Sequence, residues 1–187
     1  MDIYLIRHTQ TATETGLCYG QTDVPLAASF EAEVQQLQHK LPKLHADTLI
    51  YSSPLKRCQQ LAQQFSASII TDARLGEVNF GAWENQRFDA LDPKLVKHWS
   101  NNFVHLGPPG GESFSDLCQR VDEFWQELLC VDATQVLLIT HAGVIRALLA
   151  QVLQLPLANA FQFKIDVASV HKLQYLNNYT YIHYLNH

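Results

Sequence analysis

Basic clusters and long apolar runs are both missing from this 187-residue sequence. Charged residues make up only 17% of the chain, and the formal net charge is −5 at pH 7. A negative chain without a basic patch is poorly suited to binding nucleic acid or an anionic membrane surface. No apolar run approaches the roughly 20 residues that span a bilayer. We therefore expect a small-molecule partner, with no nucleic acid and no membrane involved.

Cysteine is also scarce, and its spacing excludes two classes of small fold. The four cysteines, Cys18, Cys58, Cys118 and Cys130, include no C-x-x-C pair. Neither a disulfide framework nor a zinc ribbon is therefore predicted. The first residues contain no basic leader and reach the charge of Arg7 too early for a signal peptide. We expect a reduced, cytoplasmic protein.

The chain does contain an alternation of apolar strands and amphipathic helices. Its length corresponds to about one domain, and repeats and flexible linkers are absent, which predicts a single domain over residues 1–187. Buried strands are predicted at 2–7, 48–51, 68–71 and 135–140, and a closing hairpin at 169–176 and 179–185. This order predicts an α/β fold, a three-layer α/β/α sandwich whose mostly parallel central sheet has an antiparallel edge.

Helical signals separate these strands. Apolar residues recur at helical spacing over 30–41 and 55–65, and Ser53 is the predicted N-cap of the second helix. A capping box at Ser113–Asp116 opens another helix, and a further one is predicted over 142–153.

Two long stretches do not fit this alternation: residues 8–28 show no clear periodicity, and residues 72–111 show weak helical hints. Loops of more than about 15 residues are uncommon in compact domains unless they serve a site. We therefore expect both loops to cover an active site; the alternative is that they only pack against the core.

Charged and reactive residues follow three of the predicted strands. Arg7 and His8 follow the first, Arg57 lies one turn into the helix after the second, and His141 follows the fourth. Ligands of parallel α/β sheets bind at the carboxyl ends of the strands, and arginine forks and helix N-termini favour phosphate. Each residue alone could be structural. Their coincidence predicts an oxyanion site.

These residues form an ordered set of motifs that resembles a known family. The motifs are Arg7-His8-Thr9, Ser52-Ser53-Pro54-Leu55-x-Arg57, Leu75-x-Glu77-x-x-Phe80-Gly81-x-Trp83-Glu84, Pro109-Gly110-Gly111-Glu112-Ser113 and Thr140-His141-Ala142-Gly143-Val144-Ile145-Arg146. Their order and types resemble the histidine phosphatase superfamily, with its phosphoglycerate mutase-like fold. Within it, the loop 16–26 resembles the alpha-ribazole phosphatases. Thr9 replaces a more usual glycine, and Gln10 stands where glutamate is common.

The resemblance implies a phosphomonoesterase that works through a phosphohistidine. His8 would be the nucleophile, and Arg7, Arg57 and His141 would join it in binding the phosphoryl group. Glu77 would be the general acid, with Glu84 and Glu112 as alternatives. No metal or other cofactor would be needed, and the implied substrate is alpha-ribazole 5′-phosphate, used in assembly of the lower ligand of cobalamin.

Recognition of the leaving group is assigned to Thr9, Tyr19, Gly20 and Gln21. A wall of Phe80, Trp83, Trp99 and Phe103 would assist, although core packing is the favoured role for Phe80 and Trp83. Arg146 is expected to form an ion pair away from the substrate. Three alternatives stay open: a broad-specificity phosphatase, a phosphoglycerate mutase-type transferase and a non-catalytic phosphate-binding module. A homodimer also stays open.

Overall fold

The computed structural model describes residues 1–187 and contains one six-stranded sheet of order β3-β2-β4-β1-β5-β6. The strands are β1 (Asp2–Arg7), β2 (Leu49–Ser52), β3 (Ile70–Thr71), β4 (Gln135–Thr140), β5 (Val170–Leu176) and β6 (Tyr179–Tyr184). The first four are parallel, whereas β5 runs antiparallel to β1 and pairs with β6. The predicted mostly parallel sheet with an antiparallel edge is confirmed.

Helices cover both faces of this sheet because the side chains of its central strands alternate between two apolar cores. The helices are α1 (Phe30–Lys40), α2 (Lys56–Ala62), α3 (Pro93–Asn102), α4 (Phe114–Leu129) and α5 (Ala142–Val152). On β1, Ile3 and Leu5 join the core under α4 and α5, and Tyr4 and Ile6 join the core under α1 and α2. Successive strand residues point to opposite faces, so a strand buried on both faces forms the middle of a three-layer sandwich. None of the helices is long and apolar enough to span a membrane.

The local signals at two turns act as predicted. The Ser113 side chain accepts a hydrogen bond from the backbone of Asp116, whose carboxylate accepts one in return, so the capping box is complete. Asn177 and Asn178 connect β5 to β6 with φ angles of 53° and 60°. Two consecutive positive φ angles define the tight turn that suits a two-residue hairpin.

One local prediction is wrong. Helix α2 begins at Lys56 with Leu55 as its N-cap, so Ser53 does not cap it. The Ser53 hydroxyl accepts from the Leu55 amide at 3.3 Å, and the Ser53 amide donates to Ile139 O at 3.0 Å and extends the sheet ladder.

The weak helical hints inside 72–111 correspond to α3, with Asp92 as its N-cap. This helix has no fully buried residue, and its Val96 and Trp99 pack against a separate small core.

Candidate active site

The carboxyl ends of β2, β4 and β1 lie side by side, which brings the three predicted segments together. Arg7 is paired with Thr140 across β1 and β4, and Ser52 is paired with Ile139 across β2 and β4. The His8 amide then donates to Thr140 O at 3.0 Å. The residue after each strand is therefore held at the same edge, as predicted.

His8 is buried, and one hydrogen bond fixes which of its ring nitrogens carries the proton. Its Nδ1 lies 2.7 Å from Thr9 O, and a carbonyl can only accept, so Nδ1 is the donor. Burial, together with the charges of Arg57 and Arg7, lowers the pKa of His8 to about 3 in spite of the opposing hydrogen bond to Thr9. The neutral ring at pH 7 leaves the Nε2 lone pair free.

His141 lies against His8, with 5.1 Å between the ring centroids. Its Nε2 is 2.8 Å from Ser53 Oγ and 3.4 Å from Cys58 Sγ. Burial holds the pKa of His141 well below its usual value, and the charges of Arg57 and Arg7 and any proton on His8 act in the same direction. Both histidines are therefore neutral near pH 7. The one N–H of His8 is used by Thr9 O, so His141 is the histidine that offers an N–H without adding charge.

Ser53 and Cys58 were not predicted as site residues. Ser53 directly follows β2, so the strand-end rule that selected His8 and His141 could have found it. Cys58 has no such signal, because in the sequence it is one more apolar position on a helix face.

Two guanidinium groups lie beside the histidines, and neither has a carboxylate partner. Arg57 is only 1% exposed and donates to Thr22 O at 2.9 Å and to Gly20 O at 2.6 Å. Arg7 donates to Ile165 O at 2.6 Å. The buried Nε atoms of both arginines and the buried Thr9 Oγ1 have no partner. Burying a cation without an acid is costly, so this arrangement suits an anion.

Glu77 is held by backbone amides at the start of α5. Its Oε2 accepts from the Gly143 amide at 3.3 Å, and its Oε1 accepts from the Val78 amide at 2.9 Å. A Cβ on Gly143 would lie 2.2 Å from Glu77 Oε1, so only glycine leaves room for this carboxylate. Glu77 forms no salt bridge and keeps its carboxylate available.

The two alternative acids are engaged elsewhere. Glu84 accepts from the backbone amides of Gln21 and Thr22 at 2.8 and 2.7 Å and so holds the loop 8–28. Burial raises the pKa of Glu84, but these hydrogen bonds outweigh it and lower the pKa overall. Glu112 pairs with Arg120 at 2.6 Å. Of the three candidates, Glu77 is the one left free to exchange a proton.

Each of the two helix N-termini already uses one amide to hold a carboxylate of the protein. The first amide of α2, Lys56 N, donates to Asp23 Oδ1 at 2.8 Å, and the Gly143 amide of α5 donates to Glu77. Binding of phosphate by the remaining amides of these helices stays a prediction.

The four residues predicted to bind the leaving group differ in position. Thr9 is fully buried beside His8. The Gly20 carbonyl holds Arg57, and the exposed Gln21 donates to Glu77 O at 3.1 Å. The Tyr19 ring lies 5.4 Å from the Arg57 guanidinium and lines a cavity beside Glu77.

This cavity has a volume of about 140 Å³ and is mostly hydrophobic. We call it the leaving-group cavity; it is lined by Tyr19, Glu77, Val78, Phe80, Trp99, Phe103, Pro108, Glu112, Phe114, Leu117, Gly143, Arg146 and Phe161. Of the predicted aromatic wall, Phe80, Trp99 and Phe103 are present. Trp83 is 5% exposed and packs with Cys18 and Leu91 in a separate small core, so its favoured packing role is confirmed.

Arg146 does not form the predicted ion pair. Its Nε donates to Phe163 O at 3.0 Å, and its guanidinium carbon lies 4.9 Å from the centre of the Phe161 ring. The sequence predicted that Arg146 lies away from the substrate, whereas Arg146 lines the leaving-group cavity.

With this geometry, comparison with known proteins places the chain in a family. The model of the histidine phosphatase superfamily (branch 1) matches residues 3–187. The chain belongs to this superfamily, which confirms the resemblance, the fold and the class of enzyme, a phosphomonoesterase.

Among its relatives are alpha-ribazole phosphatases. The adenosylcobalamin/alpha-ribazole phosphatase of Escherichia coli K12 is 32% identical over 177 residues, covering 89% of this chain and 86% of the relative. The alpha-ribazole phosphatase structure from Shigella flexneri superposes with a TM-score of 0.92 at 27% identity, over 100% of this chain and 96% of that one. A mycobacterial glucosyl-3-phosphoglycerate phosphatase superposes with a TM-score of 0.84 at 26% identity, over 99% and 98%.

Proposed function

We propose that this protein hydrolyses alpha-ribazole 5′-phosphate to alpha-ribazole and phosphate through a phosphohistidine formed on His8. The observation that carries the proposal is the neutral His8 ring within reach of the charges of Arg57 and Arg7, which bind main-chain carbonyls and form no salt bridge. The names of the relatives from Escherichia coli and Shigella flexneri support this substrate.

In the first step the Nε2 lone pair of His8 attacks the phosphorus atom. A nitrogen–phosphorus bond forms as the bond from phosphorus to the ester oxygen breaks. The Glu77 carboxyl group gives its proton to the departing oxygen, so alpha-ribazole leaves as a neutral alcohol.

In the second step a water molecule attacks the phosphorus atom of the phosphohistidine. Glu77, now a carboxylate, takes the proton from this water as the nitrogen–phosphorus bond breaks. Phosphate leaves, His8 regains its lone pair, and Glu77 is again protonated.

Negative charge develops on the phosphoryl oxygens during both steps, and Arg7, Arg57 and His141 stabilise it. Their donors are already in position, held by the main-chain carbonyls of Ile165 and Thr22 among others. Preorganised donors of this kind stabilise a transition state without further reorganisation. The positive charge comes from the chain's own residues, and the scheme calls for no metal or cofactor.

The loops 8–28 and 72–111 cover the site in this scheme. Four residues of the first loop contact the substrate or hold this loop against it: Thr9, Tyr19, Gly20 and Gln21. Of these, Tyr19 lines the leaving-group cavity. The two loops contact each other beside the site: Gln21 of the loop 8–28 donates to the carbonyl of Glu77, which lies in the loop 72–111.

The test is steady-state kinetics on a panel of phosphate monoesters with EDTA present. We expect kcat/KM for alpha-ribazole 5′-phosphate to exceed that for 3-phosphoglycerate at least about a hundredfold. Uniform slow hydrolysis of all substrates would support a broad-specificity phosphatase, and conversion of 3-phosphoglycerate to its isomer would support a mutase. Phosphate binding without turnover would leave only a binding module.

A further inference from the structure

We propose that Arg146 and Phe161 select substrates whose leaving group carries a planar ring, with Phe161 giving a stacking surface and Arg146 a hydrogen bond to the ring. The inference rests on the proposed function and names the residues that would give it specificity.

The position of this pair connects it to the reaction. Glu77 and Gly143 line the leaving-group cavity together with Arg146 and Phe161. Since Glu77 is the proposed proton donor to the leaving oxygen, the group attached to that oxygen extends from Glu77 into this cavity.

The surroundings of Phe161 are aromatic, and two neighbouring rings meet it edge-on. The Phe161 ring is 4.8 Å from the Phe103 ring and 5.3 Å from the Phe114 ring, measured between centroids. Yet 53% of Phe161 is exposed. An exposed phenylalanine supported by two other rings at a cavity costs hydration and offers a stacking surface.

The guanidinium group of Arg146 is held in place, but its terminal N–H groups are free to donate. One bond, from Nε to Phe163 O, and the contact with the Phe161 ring fix its guanidinium group. Its two terminal nitrogens make no hydrogen bond or salt bridge to protein atoms, and burial lowers its pKa while the charge of Glu77 opposes that effect. Arginine both stacks on ring faces and donates in the plane of its fork.

The experiment compares substrates that differ only in the ring. Alpha-ribazole 5′-phosphate and adenosine 5′-phosphate carry a base, and ribose 5-phosphate does not. For the wild-type protein we expect KM for at least one base-bearing substrate to be lower than for ribose 5-phosphate by about fivefold or more, since one stacked base is worth about 1–3 kcal/mol.

Variants then show which residues cause this difference in KM. Arg146→Ala and Phe161→Ala should each remove most of it through KM, whereas Lys164→Ala and Tyr179→Ala, exposed residues outside the cavity, should leave it unchanged. Arg146→Lys keeps the charge but loses the planar fork, so it should behave like Arg146→Ala. Since Phe161 is exposed, its variant tests the inference even if Arg146→Ala folds poorly.

The outcomes separate the two proposals. A wild-type preference for adenosine 5′-phosphate over alpha-ribazole 5′-phosphate would overturn the proposed substrate and support the inference. Equal KM values for base-bearing substrates and ribose 5-phosphate would overturn the inference, as would full rescue by Arg146→Lys or a selective loss of 3-phosphoglycerate turnover in Arg146→Ala.

Discussion

The phosphate site and the leaving-group cavity touch at Glu77 but are built in different ways. The phosphate site follows directly from β1, β2 and β4, and its histidines and Arg57 are at most 4% exposed. The cavity takes its walls from outside the central sheet, including Trp99 of α3, a helix with no buried residue, and the half-exposed Phe161. The difference indicates that the sheet carries the reaction and that peripheral elements carry the choice of substrate.

The largest effect that this comparison predicts is at His8. His8→Ala should lower kcat by about 10⁴-fold or more for every substrate, since loss of a nucleophile removes the covalent route. Acid-quenched, radiolabelled substrate should leave no phosphoenzyme. Trp99→Ala, which lies outside the phosphate site, should still form it, and a phosphoenzyme in His8→Ala would refute the scheme.

A smaller but still general loss is expected at Arg57. Arg57→Lys should reduce kcat/KM by about a hundredfold or more on all substrates, because lysine cannot bind two carbonyls and an anion with one planar fork. The exposed Arg87 supplies the matched control, Arg87→Lys, which should stay within about twofold of wild type. If the Arg57 variant lost activity on only one substrate, Arg57 would take part in the choice of substrate, and the assignment of that choice to the leaving-group cavity would be wrong.

Gly143 lies where the two regions meet. In Gly143→Ala the new Cβ would displace the Glu77 carboxylate, since 2.2 Å is far too short for a contact. We expect kcat to fall by about ten- to a hundredfold, because misplacing a catalytic group by about 1 Å costs up to that much.

A double-mutant cycle checks the cause. In a Glu77→Ala background the clash is gone, and Gly143→Ala should have little further effect on kcat. Additive losses would show that Gly143 acts through the backbone of α5 and not through Glu77.

The smallest effect concerns acid stability. Because the pKa of His8 is about 3 in the folded state and about 6.5 unfolded, only the unfolded chain takes up this proton as the pH falls through that window. The free energy of unfolding should therefore decrease below about pH 6.5, by about 1.4 kcal/mol per pH unit for this histidine.

Denaturant titrations between pH 7 and pH 4, in buffer without phosphate, measure this slope. His8→Gln should reduce this slope by up to about 1.4 kcal/mol per pH unit, the value for one proton. The variant His183→Gln, at an exposed position, should not change the slope. The leaving-group cavity contains no histidine, so its variants should also leave the slope unchanged. A slope that His8→Gln does not alter would show that the folded protein binds this proton.

The same contrast explains how far the sequence could be read. Strand β4 was predicted with its observed bounds, Gln135–Thr140, because six consecutive residues are buried on both faces. His8 and His141 could be placed at one edge because strand ends in a parallel sheet share it. Arg146 was misassigned, because its contacts with Phe161 and Phe163 join segments whose packing has no periodic signal. The Ser53 cap was wrong because α2 begins later, at Lys56, and the Ser53 hydroxyl contacts both the Leu55 amide and His141 across the sheet.

The bond from His8 Nδ1 to the Thr9 carbonyl has a consequence for detection. Histidine can carry phosphorus on either ring nitrogen, and the two products are distinct isomers that separate by chromatography and give different phosphorus resonances. With Nδ1 committed to a carbonyl 2.7 Å away, the covalent adduct of this protein is the 3-phospho isomer. A reagent raised against 1-phosphohistidine should therefore fail to recognise the labelled enzyme.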